Sequence, residues 1–265
     1  MNKTAVAAPA IEMVQVRKVY PPLKRKDEPV TAIEDISFTV ARGEFVSVVG
    51  PSGCGKSTLI KMLAGLLPIT SGEIRLDGNL VTGPHDDIGI VFQNPVLLKW
   101  RSVLNNVLFP IDILRKPRKE YIQQAEDLLR LVGLWEFRDQ YPSVLSGGMQ
   151  QRVSLCRSLI HDPSLLVMDE PFGALDAFTR DEMNLELQRV WSQRRKTVLF
   201  ITHSIQEAVF LSDRVVVLSA RPSRVDSIFE IDLPRPRSLD MRYSEQFGHY
   251  TEAIHARIIQ TRTVV

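Results

Sequence analysis

Two stretches near the start of the chain alternate apolar and polar residues with a period of two. The apolar positions are Val14 and Val16, followed by Ile36, Phe38 and Val40. This period is typical of strands that bury one face and expose the other to solvent. The pattern predicts an N-terminal antiparallel β subdomain, in which the charged, proline-containing loop from Pro21 to Pro29 separates the two strands.

Other apolar runs show no alternation, which indicates strands that are covered on both faces. They are Phe45–Val49, Leu165–Met168 and Val198–Thr202. Shorter strands are expected at Glu73–Leu76 and Ile88–Phe92, with Asp77 and Gly78 as a turn signal between them, and a crossover helix at Ala177–Gln193. Alternating strands and helices imply an α/β fold with a mostly parallel core sheet and helices on both sides.

The segment 94–144 has a helical rather than a strand-like pattern. One helical face carries Ile122, Ala125, Leu128, Leu129 and Val132. Gly133 is well placed to end that helix, because glycine readily adopts the left-handed conformation that follows a helix end. We therefore predict an α-helical subdomain inserted into the α/β fold.

Composition narrows the class of protein. The chain has 265 residues, 44% of them hydrophobic, and 33 Lys and Arg against 31 Asp and Glu, a formal charge of +2. This balance is far from the basic surplus typical of nucleic-acid binding, so no nucleic-acid partner is predicted. Cys54 and Cys156 are the only cysteines, which argues against a disulfide framework and favours a reducing compartment.

The length favours one large domain. No apolar run reaches the roughly 18 residues of a membrane-spanning helix. Residues 1–10 lack a signal-peptide core and are predicted to be a flexible leader. The main domain is predicted at residues 11–231, and residues 232–265 form a short C-terminal extension.

A phosphate-binding loop follows the strand at Phe45–Val49. The motif G-x-x-x-x-G-K-S/T is filled by Gly50, Pro51, Ser52, Gly53, Cys54, Gly55, Lys56 and Ser57, and Thr58 begins a helical segment that extends to Ala64. Backbone N–H groups of such a loop surround the β- and γ-phosphates, Lys56 supplies a positive charge, and the Ser57 hydroxyl is a ligand for Mg²⁺. The helix N-terminus also favours an anion.

Two carboxylates, Asp169 and Glu170, end the strand at Leu165–Met168. Ligands of open α/β sheets bind at this edge, where the phosphate loop also opens. Asp169 is the expected carboxylate partner of Mg²⁺. Glu170 lies one residue further out, and our hypothesis is that it acts as general base on the attacking water.

Two further polar side chains are expected at the same edge. His203 follows the strand that ends at Thr202, and we predict that it holds Glu170 and the transferred phosphoryl group. Gln93 ends another predicted strand, and its amide is expected to contact Mg²⁺ or the water. Both therefore join the predicted catalytic set with Lys56 and Glu170.

A second glycine-containing loop extends from Leu145 to Arg152. Ser146, Gly147 and Gly148 are predicted to open a helix from Gln150 to about His161. Their N–H groups and the helix dipole make an anion site. This site has no phosphate loop of its own.

The motifs, and their order along the chain, resemble those of ATP-binding cassette (ABC) transporter ATPases over nearly the whole chain. The phosphate loop at 50–58, Gln93, the signature at 145–151, the strand 165–170 and His203 correspond to the family's motifs. Ala174, Leu175 and Asp176 resemble its D-loop, and Tyr20 occupies the position of an adenine-stacking aromatic residue. The resemblance implies two ATP molecules held between two subunits, most simply a homodimer, with Ser146, Gly147, Gly148 and Gln150 of one facing ATP on the other.

Three stretches resemble the ATPases of nitrate, sulfonate and taurine importers: Leu97–Val103, Phe172–Arg180 and His203–Val209. The resemblance implies a peripheral subunit on the cytoplasmic face of the inner membrane, an integral permease and an extracytoplasmic substrate-binding protein. Lys99 departs from the branch pattern, which has Pro before Trp100, in the region expected to receive the permease. Trp100 is either a docking residue or part of subdomain packing.

Two alternatives remain open, and a third is disfavoured. A soluble ABC-type ATPase serving DNA repair, chromosome structure or translation would usually carry coiled coils, zinc modules or a second cassette, which this sequence lacks. An exporter subunit would share the same motifs. An isolated P-loop kinase leaves the signature and the D-loop unexplained.

Overall fold

The computed structural model describes residues 8–22, 28–173 and 175–262. Most of the predicted leader, the centre of the loop between Pro21 and Pro29, and Ala174 of the predicted D-loop lie outside these residues. Within them, no helix is both long enough and apolar enough to cross a bilayer.

The described strands form one ten-stranded sheet. They are β1 (Ile11–Tyr20), β2 (Val30–Val40), β3 (Phe45–Val49), β4 (Ser71–Leu76), β5 (Asn79–Leu80), β6 (Ile88–Val91), β7 (Leu165–Asp169), β8 (Thr197–Ile201), β9 (Arg214–Leu218) and β10 (Ser223–Glu230). Their order across the sheet is β5-β4-β1-β2-β10-β9-β3-β8-β7-β6.

The described helices connect and cover these strands. They are α1 (Lys56–Leu63), α2 (Val103–Val107), α3 (Phe109–Ile113), α4 (Arg118–Leu131), α5 (Gly147–Leu159), α6 (Ala177–Arg194), α7 (Ile205–Leu211) and α8 (Glu245–Arg262). Short 3₁₀ turns lie at Trp135–Phe137, Pro142–Val144 and Leu239–Tyr243.

The parallel core predicted from the unbroken apolar runs is confirmed. Strand β3 pairs in parallel with β8 and β9, and β7 pairs in parallel with β6 and β8. Phe45 and Val49 of β3 join one apolar cluster with residues of α5, α6 and α7. Val46 and Val48 join a second cluster with residues of α1. Alternate side chains thus enter cores on opposite faces of the sheet, which explains why β3 and β8 are fully buried.

The antiparallel N-terminal part is confirmed, but the predicted alternation breaks at Val14. Strand β1 pairs with β2 and β4 in antiparallel fashion, with a register shift between Met13 and Val16. Gln15 has a φ of 47°, and Val14 is 43% exposed while Val16 is fully buried. The irregularity places one extra residue between inward-facing positions, so Val14 turns outwards. The turn at Asp77 and Gly78 leads into the short strand β5, which the sequence did not predict.

The helical pattern in segment 94–144 is confirmed, with one exception. Ala125, Leu128 and Leu129 are buried on α4, and Gly133 follows the helix with a φ of 69°. Ile122 was assigned to the same apolar face but is 39% exposed, so this prediction was wrong. In this turn of α4 the neighbouring Tyr121 packs against the core instead.

The residues after Asp232 pack onto the main α/β domain. Phe247 and Ile254 of α8 are buried in the same cluster as residues of α7 and β9. Arg237 is also buried, and its guanidinium donates to the backbone carbonyls of Val209, Phe210, Ser212, Ile231 and Leu233. Burial lowers the pKa of this guanidinium to about 10. Arg237 therefore joins the C-terminal segment to the end of α7.

Candidate nucleotide-binding site

The phosphate loop connects β3 to α1 and has the backbone shape that the motif implies. Gly55 has a φ of 103°, where an L side chain is strained, and a β-carbon there would lie 3.2 Å from Cγ1 of Ile33. Helix α1 begins at Lys56, two residues earlier than the helical segment expected from Thr58. The first turn of the helix is thus part of the loop, and its free N–H groups face the loop opening.

Lys56 lies inside the loop. Its Nζ donates to the carbonyl oxygens of Gly50 at 2.9 Å and Pro51 at 3.1 Å. The neighbouring Cys54 is 1% exposed, and burial raises the pKa of its thiol. Cys54 therefore packs as a neutral side chain, and Lys56 provides the positive charge of the loop.

Ser57 and Asp169 come together across the sheet edge. The Ser57 hydroxyl donates to Oδ1 of Asp169 at 3.3 Å. Burial raises the pKa of Asp169, and the hydrogen bond from Ser57 partly opposes this shift. Two oxygen donors next to a phosphate loop fit a hard divalent cation, which prefers hydroxyl, carboxylate and phosphate oxygens.

Glu170 and His203 also meet at this edge. Strands β7 and β8 are neighbours, with Asp169 opposite Ile201, so the residues that follow them emerge side by side. His203 Nδ1 lies 3.2 Å from Oε2 of Glu170. Glu170 has a φ of 44°, an uncommon value for a residue other than glycine. Its N–H donates to the carbonyl of Ile201 at 2.8 Å, which fixes the backbone in this conformation.

Gln93 follows β6 by two residues, and its side chain lies near Gly173. A β-carbon built at Gly173 would lie 3.5 Å from Nε2 of Gln93 and 3.5 Å from Cε1 of His203. Gly173 therefore lies close to both side chains, at distances where a β-carbon would make ordinary van der Waals contact with each. Gln93 itself is exposed, in keeping with a group that contacts a ligand.

The second glycine-containing loop lies at the start of α5. Ser146 caps the helix by accepting from the N–H of Met149 at 3.3 Å. Gly147 and Gly148 are the first helical residues, so the helix begins earlier than the predicted Gln150 and ends at Leu159 rather than His161. The Gln150 amide donates to the carbonyls of Pro142 and Leu145. The structure thus directs Gln150 towards its own chain, while Ser146 stays exposed.

Tyr20 and Asp176, two further residues predicted to contact the nucleotide, each make local hydrogen bonds. The Tyr20 hydroxyl lies 3.2 Å from Oγ1 of Thr58, next to the phosphate loop. Asp176 caps α6 by accepting from the N–H and the hydroxyl of Thr179, at 3.0 and 2.7 Å. These hydrogen bonds lower the pKa of Asp176, so its carboxylate is charged.

Sequence reasoning missed a buried network behind His203. The carboxyl of Glu207 accepts from the hydroxyl of Thr202 at 2.5 Å and lies 3.5 Å from Nε of Arg180. Arg180 also donates to the carbonyl of Leu175 in the predicted D-loop at 2.8 Å. In the sequence, the only sign of this network was the spacing of Thr202 and Glu207 across a helix start. That spacing does not show that Glu207 is buried.

The fold and the phosphate loop define a P-loop nucleotide-binding protein, and a second glycine-containing loop opens α5. Residues 33–173 of the sequence match the protein family that is described as ABC transporter. An ABC transporter ATP-binding protein of Methanocaldococcus jannaschii, MJ0412, is 50% identical over 85% of this chain and 83% of its own. The chain belongs to the ABC transporter family, which confirms the resemblance inferred from the motifs.

Two relatives carry more specific names. The aliphatic sulfonates import ATP-binding protein SsuB of Bacillus cereus is 40% identical over 93% of this chain and 94% of its own. The taurine import ATP-binding protein TauB of Rhizobium johnstonii is 44% identical over 89% of this chain and 92% of its own. A solved structure, described as the dimeric structure of the bacterial ABC transporter cassette MJ0796, matches with a TM-score of 0.74 and 30% identity. It covers 84% of this chain and 100% of that chain.

Proposed function

We propose that the chain is the ATP-hydrolysing subunit of an importer, and that the solute is a small anion such as a sulfonate, taurine or nitrate. The names of the SsuB and TauB relatives, which align with most of the chain, support this solute class. The observation that carries the hydrolytic role is the pairing of Glu170 with His203 at the edge where the phosphate loop opens.

Hydrolysis requires a positioned water and a stabilised γ-phosphate. The loop N–H groups and Lys56 would bind the phosphates, and Tyr20 would stack on the adenine. Ser57, Asp169 and Gln93 would hold Mg²⁺, which when bound neutralises charge on the phosphate oxygens. Glu170 accepts the proton of the attacking water. His203 orients the Glu170 carboxylate and donates to the departing phosphoryl oxygens.

The second anion site implies two copies of the chain. Ser146 and the first turn of α5 present N–H groups without a phosphate loop on their own element. In a head-to-tail pair, these groups would meet the γ-phosphate held by the other copy, with Asp176 nearby. The dimer described for the related MJ0796 cassette supports this arrangement.

A groove beside segment 94–144 suits the permease. It has a cavity volume of about 450 Å³ and is lined mainly by apolar side chains, among them Ile90, Leu98 and Phe109. Val96 also lines it and is 63% exposed, and the nearby Trp100 is 74% exposed. This exposure favours docking over subdomain packing, because a packed tryptophan would be covered. An apolar groove with an exposed aromatic residue is typical of an interface anchor.

The permease would hold the subunit at the cytoplasmic face of the membrane, and a substrate-binding protein on the far side would deliver the solute. Uptake of labelled taurine, an alkanesulfonate and nitrate tests this proposal in cells of the source organism that express either the wild-type chain or a variant. Uptake of at least one anion should disappear in the Glu170→Gln variant. ATP hydrolysis without uptake of any of the three would contradict the proposal.

Membrane attachment is a second test. Trp100→Ser should release the subunit from membranes that contain the permease while nucleotide binding is retained. Tyr243→Ser is the matched control, because Tyr243 is 90% exposed on a different part of the chain. Retention of the Trp100→Ser variant on the membrane would remove Trp100 from the docking surface.

A further inference from the structure

Phe178 is the second residue of α6, and 86% of it is exposed. Its backbone is held in place, because Asp176 caps this turn through the N–H and the hydroxyl of Thr179. A single exposed aromatic residue needs no explanation by itself. Phe178 is of interest because it lies beside the loop that contains Ser146.

The first turns of α5 and α6 lie in contact. A β-carbon built at Gly148 would be 2.6 Å from Cγ2 of Thr179, the residue next to Phe178. Glycine at Gly148 thus allows the two helix starts to approach closely. Phe178 therefore belongs to the same rim of the molecule as the exposed anion site of Ser146.

A second exposed apolar side chain lies on this rim. Val144 is 61% exposed and ends the turn that precedes Ser146. The Gln150 amide donates to Pro142 and Leu145 on either side of it, so the turn is tied to the first turn of α5. Apolar side chains are thus exposed both before Ser146 in the sequence and on the adjoining start of α6.

We propose that Phe178, with Val144, is an apolar contact for the second copy of this chain in the ATP-bound dimer; the proposal rests on the proposed function. The surface that brings a phosphate loop up to Ser146 must also cover the rim around it. Any other occupant of this rim would block that approach. In a symmetric dimer each copy contributes one Phe178, so a change at this residue acts twice.

The proposed contact predicts weaker association rather than weaker nucleotide binding. Covering a phenyl ring contributes on the order of ten- to a hundredfold to an association constant. Phe178→Ser should therefore weaken the ATP-dependent dimer at least about tenfold. The affinity of a single copy for ATP should stay the same, because the phosphate loop lies on β3 and α1.

Sedimentation velocity with ATP and Mg²⁺ tests this inference in the Glu170→Gln background, which keeps the nucleotide intact. The parent variant should dimerise, Phe178→Ser should remain largely monomeric, and Phe178→Leu should recover most of the association. Tyr243→Ser is the control for loss of an exposed ring elsewhere. Unchanged thermal unfolding and unchanged binding of a fluorescent ATP analogue would show that Phe178→Ser is folded.

Two outcomes would overturn the inference. One of them would overturn only the Phe178 contact, and the other would also overturn the proposed two-copy nucleotide site. If Phe178→Ser dimerises as tightly as its parent, the contact is wrong and the two-copy site stands. If the Glu170→Gln parent does not dimerise with ATP at any concentration tested, both the contact and the two-copy site are wrong.

Discussion

Oε2 of Glu170 lies 3.2 Å from Nδ1 of His203, although 33 positions separate the two residues in the chain. The pairing arises because β7 and β8 are neighbours in the sheet and both residues follow the ends of their strands. The pair lies next to Asp169, which contacts Ser57 of the phosphate loop. In the proposed function, Glu170 accepts the proton of the attacking water and His203 orients Glu170.

Glu170→Gln should abolish most hydrolysis and leave ATP binding intact. The amide keeps the shape of the side chain but cannot accept a proton, and general bases contribute about 10²–10⁴-fold to rates. Phosphate release and binding of a fluorescent ATP analogue measure the two effects separately. Glu252→Gln, a change at an exposed carboxylate on α8, is the control. Wild-type turnover in Glu170→Gln would assign the base to another residue.

A mixture of two inactive variants should recover activity if each site is shared between two copies. Lys56→Ala disables the phosphate loop and Ser146→Glu disables the opposing anion site, so each homodimer is inactive. A mixed dimer retains one intact site, and random pairing restores roughly a quarter of wild-type sites. Phosphate release from the mixture measures this recovery. A mixture no more active than its separate components would contradict shared sites.

Glu207→Gln should change the pH dependence of stability. Burial raises the pKa of Glu207 above its ordinary 4.5, against the opposing hydrogen bond from Thr202 and the charges of Arg180, His203 and Arg242. The ionised form therefore disfavours folding above the folded-state pKa, and this cost disappears as pH falls below 4.5.

Urea unfolding of both proteins at neutral and acidic pH measures the effect. The stability of the Glu207→Gln variant relative to wild type should be higher at neutral pH than near pH 4.5. The difference between the two proteins, rather than either curve alone, isolates Glu207 from the other carboxylates. A difference independent of pH would show that burial does not perturb this group.

Arg237→Met should destabilise the fold. The substitution leaves the five carbonyls that accept from the guanidinium without that donor, and unsatisfied buried polar groups cost about 1–3 kcal/mol each. We expect a loss of at least about 2 kcal/mol in urea unfolding. Arg224→Met is the control, because its ion pair with Glu34 is on the surface and such pairs contribute about 0–1 kcal/mol. Equal stability of the two variants would contradict the role of Arg237.

Several features could be predicted from short stretches of sequence because local geometry determines them. The phosphate loop depends on contiguous residues whose backbone conformation needs glycine at Gly55. Contiguous residues also determine the end of α4 at Gly133 and the parallel core strands at Leu165–Met168 and Val198–Thr202. Their positions in the structure agree with the predictions to within a few residues.

Other features depended on contacts between distant residues. Val14 faces outwards because of the register that β1 adopts against β2 and β4, and Ile122 lies beyond the edge of the packed stripe on α4. The side chain of Gln150 turns to carbonyls that only the folded turn brings near. A one-dimensional pattern gives the period of a strand or helix but not where its buried face begins or ends.

By itself, the sequence determined the chemistry available to this protein: a phosphate loop, two strand-end carboxylates, His203 and a glycine-opened helix, each encoded by adjacent residues. Only the tertiary structure decided which of these groups touch, that Glu207 and Arg237 are buried, and that Phe178 is exposed beside the Ser146 loop. The reason is physical, since distances between groups and their burial follow from strand order and helix packing, which are properties of the whole chain.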